Sequence, residues 1–163
     1  MSIKFEHFIK KFPKVELPIV FSEDLHHDFA KENEPLPLQM IDEYIAKYET
    51  TVQDDMTEYV PCIQLPAEKK TYRAVVYWRA GLLTYDYVLA TYDIKSGVMI
   101  DKKSIAGTKV IGNAVKRIVT IIKEDLTIHS AEGIEETGKE YIADSTKVQR
   151  FEILENGRIE QDY

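Results

Sequence analysis

The period of the hydrophobic pattern changes near residue 58. Ahead of that point, apolar residues recur three and four apart: first Phe5, Phe8, Ile9 and Phe12, later Leu38, Ile41, Ile45 and Tyr48, thickened by Met40 and Tyr44. Each set lies on one face of an amphipathic helix, and the second leaves Asp42, Glu43, Lys47 and Glu49 facing out. Ser2 is placed to cap the first helix, and Pro13 closes it. Residues 15–21 read as an extended segment fit only for a sheet edge, because Pro18 lacks a donor. Ser22 is placed to cap a brief helical turn, residues 33–37 form a turn around two prolines, and residues 50–57 form a polar loop.

Beyond residue 58 the chain alternates like strands. Residues 59–65, 72–79 and 83–92 are rich in aromatic and β-branched side chains, with Gly81 connecting the last two. Ser96 and Gly97 turn the chain into residues 98–101. Residues 117–122 meet 126–129 across Lys123-Glu124-Asp125, and 148–154 meet 158–159 across Asn156-Gly157, a pair suited to positive φ. Residues 107–112, with a glycine at each end, read as a loop, since no Lys follows the second glycine as a phosphate loop requires.

The predicted fold is α+β: N-terminal helices packed on an antiparallel β-meander of about eight strands. One domain spans residues 1–163, divided into a helical part, 1–57, and the meander, 58–163. Turns recurring about thirty residues apart give it a partial-propeller-like character, but a closed propeller needs at least four blades of about 40–45 residues. A curved open sheet is expected first and a small open barrel second.

Charge sharpens the division. The chain carries −7, and residues 1–60 account for all of it, with 6 Lys/Arg against 13 Asp/Glu. That balance speaks against nucleic acid and against anionic membrane surfaces, both of which demand a basic patch. No apolar run reaches the roughly 18 residues of a membrane span, and the first residues lack the apolar core of a signal peptide, so a cytoplasmic location is expected. Cys62, the one cysteine, falls in a strand and reads as a buried structural thiol. No cofactor is expected.

Two constellations could carry chemistry. Glu23-Asp24-Leu25-His26-His27-Asp28 holds the elements of a metal or acid–base site at Asp24, His26, His27 and Asp28. Against that, consecutive histidines on a helix diverge by about 100° and should not chelate together. His7 and His129 are expected on the surface. The other constellation places six aromatics, among them Tyr77, Trp78, Tyr85 and Tyr87, within 21 residues. Tyr77 projects opposite Trp78, while Tyr85 and Tyr87 share a face, so one face can line the core and the other present rings to a sugar, peptide or protein.

Residues 12–18 with their Phe-Pro and Leu-Pro pairs, residues 24–29, and the stretches 75–81 and 87–92 together resemble a group of uncharacterised bacterial proteins. In that group a Phe-Pro…Leu-Pro segment precedes a β-meander, and the resemblance implies no activity. The expected function is a non-enzymatic binding or interaction module that uses the aromatic face. The alternative is a hydrolase or metal-dependent enzyme built on residues 23–28. A homo-oligomer paired through open sheet edges is a third possibility.

Overall fold

The computed structural model describes residues 2–49, 57–67, 69–82, 84–136 and 147–162, the side chains of 135 and 136 excepted. Helix α1 (Ile3–Lys10) begins at Ser2, whose hydroxyl accepts from the Phe5 amide at 3.2 Å. After β1 (Ile19–Phe21) come α2 (Leu25–Glu32), α3 (Leu38–Tyr44) and a 3₁₀ turn at Ala46–Tyr48. Eight further strands follow: β2 (Glu58–Gln64), β3 (Tyr72–Ala80), β4 (Thr84–Asp93), β5 (Met99–Ile111), β6 (Ala114–Ile122), β7 (Ile128–Glu136), β8 (Lys147–Ile153) and β9 (Ile159–Asp162). Strands β2 to β9 pair in sequence order, all antiparallel, and β1 pairs with β6.

The α+β meander expected from the pattern is therefore present: among the described residues β2 to β9 make its eight strands, and β1 adds a ninth to the sheet beside β6. Residues 107–112 are the end of a 13-residue strand and the start of a tight turn into β6, not a loop. The helical stripe that begins at Leu38 stops at Tyr44 and tightens into the 3₁₀ turn. Helix α2 is a two-turn helix preceded by Asp24, longer than the brief turn that Ser22 suggested. Most of the loop expected at 50–57 lies outside the described residues.

Both faces of β3 and β4 are covered, which explains their nearly unbroken apolar runs. On one face Val75, Tyr77, Val88, Ala90 and Tyr92 meet Phe5, Phe8 and Phe12 together with Tyr44 and Ile45. Phe8 stacks on Tyr44 at 4.5 Å, and the Tyr92 hydroxyl donates to the Tyr44 carbonyl at 2.6 Å, fastening α3 to the sheet. On the other face Val76, Trp78, Tyr87 and Leu89 join Phe21, Phe29, Ile122, Ile128 and Phe151.

That second core exists because the sheet curls. Opposite Tyr87 and Val88, β5 carries a bulge, and Gly107 just beyond it has φ +144°. A bulge bends its strand and steepens the twist. Strand β5 pairs with β6 from Gly107 onward only, and β1 enters beside β6 at Thr120 to Ile122. The far end of the sheet then returns to the first hairpins. Thr91 donates to the Gly157 carbonyl at 2.6 Å, Thr71 to that of Glu155 at 3.3 Å, and the Ile159 amide to Asp101 at 2.9 Å. Strands β2 and β9 do not pair, so the sheet stays open and forms neither barrel nor propeller.

Candidate functional site

Trp78 and Tyr87 stand directly opposite each other on β3 and β4, and Tyr85 faces Ala80 one step further toward the hairpin turn. The position along the sheet decides what each ring does. Tyr87 is fully buried, and its hydroxyl donates to the Ser22 carbonyl at 2.9 Å. Trp78 is 5% exposed, while Tyr85 at the sheet end is 38% exposed. Tyr77 projects to the opposite face, as the alternation requires, where it too is fully buried. The expected aromatic surface is thus corrected: Tyr77 and Tyr87 are core residues, and only Tyr85 with the rim of Trp78 reaches solvent.

Helix α2 lays the acidic His-His segment across that rim. The His26 ring lies on Trp78 with centroids 4.2 Å apart and planes 10° from parallel, and Tyr85 is 14° from parallel with the same indole at 6.2 Å. His26 Nδ1 is 2.7 Å from the Glu23 carbonyl oxygen, which orients the ring. The His27 ring is 3.9 Å from that of His26, so the divergence expected of consecutive helical histidines does not hold here. Both sit in the first turn, where the chain is still entering the helix. Asp24 and Asp28 stay exposed, Asp24 makes no side-chain cap, and Glu23 pairs with Arg117 at 3.3 Å. Among the described residues no group of three His, Cys, Asp or Glu side chains is arranged to hold a metal ion. The two constellations read separately from the sequence form one surface.

A charge cluster on the opposite face was not foreseen. The Glu49 carboxylate, only 2% exposed, receives Arg79 Nη1, Lys102 at 3.0 Å and the Tyr77 hydroxyl at 3.3 Å. Arg79 uses its other edge to grip Asp86, its cross-strand partner, through Nε at 3.0 Å and Nη2 at 2.8 Å. Burial, then the Glu49 charge, push Tyr59 up to about 12, and the same causes push Tyr77 well above the ordinary phenol range. Burial works against the Arg79 charge, yet the bonds to Asp86 and the field of Glu49 raise its pKa. With both carboxylates engaged by cations, the cluster has no free base or nucleophile; it ties the end of the helical part to the sheet. The cross-strand pairing of Arg79 with Asp86 follows from the register of the β3–β4 hairpin, which the side-chain pattern alone did not fix.

Cys62 is fully buried, and burial raises its thiol pKa, so it is structural and unreactive. His129 contacts Thr127 at 3.2 Å, and His7 lies on α1. Among the described residues no helix is long and apolar enough to cross a membrane. No protein-family model, curated protein or solved structure matches the chain.

Proposed function

We propose that the chain is a non-enzymatic binding module that engages a peptide segment through the exposed end of its aromatic face. The observation that supports this most is the near-parallel set of His26, Trp78 and Tyr85, with Tyr85 open to solvent. Rings held by their neighbours lose little freedom on binding, and a flat ring with a hydroxyl meets both apolar and polar groups. Asp24 at the start of the adjoining helix and Asp28 on it are exposed and acidic, which favours a partner carrying basic groups over an anionic one.

The enzyme reading of residues 23–28 gains no support, because His26 faces Trp78 and the carboxylates do not converge with it. Edge pairing is also disfavoured at β2, where Asn33 donates to the carbonyls of Pro61 and Cys62 and the Gln64 amide donates to Pro13. A bacterial cytoplasmic setting belongs to the same proposal, and a lone buried thiol suits it. A display screen of basic and acidic peptides beside a glycan array tests the reading. Basic peptides should be selected, and Tyr85→Ala and His27→Ala should abolish their binding while the fold stays intact. Selection of glycans alone, or binding indifferent to both substitutions, would refute it.

A further inference from the structure

Of the three asparagines in the chain, only Asn156 precedes a glycine. Such a pair is prone to deamidation, because glycine has no Cβ to keep its own amide nitrogen away from the asparagine Cγ. Asn156 is exposed, so solvent base reaches it, whereas Gly157 is buried. Its neighbours Tyr72 and Ile100 lie at the end of the first hairpin opposite Tyr85, apart from the peptide-facing rings.

For the attack, the peptide unit between residues 156 and 157 must turn until the Gly157 nitrogen faces Cγ. The docked turn opposes that rotation. The Gly157 amide donates to the Leu154 carbonyl at 2.9 Å, and the Leu154 amide to the Arg158 carbonyl at 2.8 Å. Asn156 Oδ1 accepts from the Arg158 amide at 3.0 Å, which fixes the side chain. The fully buried Thr91 donates to the Gly157 carbonyl at 2.6 Å. Space is also lacking: a Cβ on Gly157 would come within 2.6 Å of Ile100 Cδ1 and 3.3 Å of Tyr72 Cβ.

We infer that Asn156 is a latent deamidation site, closed while Gly157 is docked and converted to aspartate or isoaspartate when the β8–β9 turn leaves the first hairpins. The seam that governs it is held by side-chain bonds from Thr91, Thr71 and Asp101 and not by a strand ladder, so it opens locally ahead of the core. Once it opens, the Gly157 nitrogen gives its proton to solvent base and bonds to Cγ. The Cγ–N bond of the side-chain amide breaks and ammonia leaves. Water then opens the cyclic imide at either carbonyl. The isoaspartyl product carries an extra methylene in its main chain, which the close walls around Gly157 do not readmit, so each opening that reacts is recorded.

Incubation of the full chain in mildly alkaline buffer, followed by peptide mapping and an isoaspartate assay, tests this. The folded chain should deamidate at Asn156 at least about tenfold more slowly than the same chain in guanidinium chloride, since the reaction follows the open population. Thr91→Val keeps the side-chain shape but leaves the Gly157 carbonyl unmatched, and should speed the folded reaction about fivefold or more. If that variant does not fold, Thr71→Val, which removes the exposed bond to the Glu155 carbonyl, should act in the same direction. Asn156→Gln should silence the site. A folded rate equal to that in guanidinium chloride, or a folded threonine variant no faster than the parent, overturns the inference. So does deamidation of the unfolded chain at Asn33 or Asn113 in preference to Asn156.

Discussion

The imidazole of His26 lies flat against the indole of Trp78, centroids 4.2 Å apart, and so joins the acidic front of the chain to its first hairpin. As Trp78 is the only tryptophan, its emission reports directly on this contact. His26→Ala should uncover one face of the indole, shift the emission to longer wavelength and lower stability by about 1 kcal/mol. An unchanged spectrum would mean that α2 does not rest there in solution.

The tyrosines of β3 and β4 should divide sharply by position. Tyr77→Ala and Tyr87→Ala remove fully buried rings and should each cost about 3–5 kcal/mol in urea unfolding. Tyr85→Ala, at the exposed end, should cost less than about 1 kcal/mol. Tyr87→Phe loses only the bond to the Ser22 carbonyl, for about 1 kcal/mol.

Arg79 holds Glu49 and Asp86, two carboxylates that are otherwise almost shielded from water. Arg79→Ala leaves Asp86 without a cation among the described residues and Glu49 with Lys102 and the Tyr77 hydroxyl, and should destabilise by about 3–5 kcal/mol. Adding Asp86→Asn and Glu49→Gln should recover part of that loss. If the triple variant is no more stable than Arg79→Ala, the carboxylates are not the cause.

At Gly107 a Cβ would come within 2.1 Å of the Tyr85 carbonyl oxygen, on a backbone whose φ of +144° already disfavours side chains. Gly107→Ala should therefore cost about 3 kcal/mol or more and disturb the β4–β5 register, visible as lost amide protection across that pair. Gly112→Ala, in a turn with open space around it, should be far milder and arise from its positive φ alone.

Burial pushes Tyr59 up to about 12 from the 10.0 of an exposed phenol, and Tyr77 and Tyr92 move in the same direction. A raised folded-state pKa gives stability that is intact below pH 10.0 and lost as the pH climbs toward about 12. Phenolate absorbance and circular dichroism should thus change together in this window. Ionisation of these rings with the dichroism unchanged would show that burial does not protect them.

The readings that succeeded were local ones. Phe5, Phe8, Ile9 and Phe12 recur at helical spacing and pack where that spacing points, while the strand alternation and Asn156-Gly157 marked hairpins by short-range chemistry. The reading of residues 107–112 as a loop failed because the glycines at each end outweighed the strand-forming Thr108, Val110 and Ile111 between them, whose extended state is fixed by pairing with β4 and β6. Strand β1 was legible as extended, but its partner β6 lies about a hundred residues away, and no local pattern names it.

The sequence alone determined the class of fold, the division between helical front and meander, the opposite orientations of Tyr77 and Trp78, and the burial of Cys62. These follow from side-chain period and from the chemistry of turns, which act over a few residues. Only the tertiary structure decided that the sheet curls around a second core, that Tyr87 is covered while Tyr85 is open, and that His26 meets Trp78. Those relations depend on the bulge in β5 and on the return of the β8–β9 turn to the first hairpins, contacts between residues far apart in the chain. Composition put the acidic charge in the front of the chain; the fold buried Glu49 of that front between Arg79, Lys102 and the Tyr77 hydroxyl.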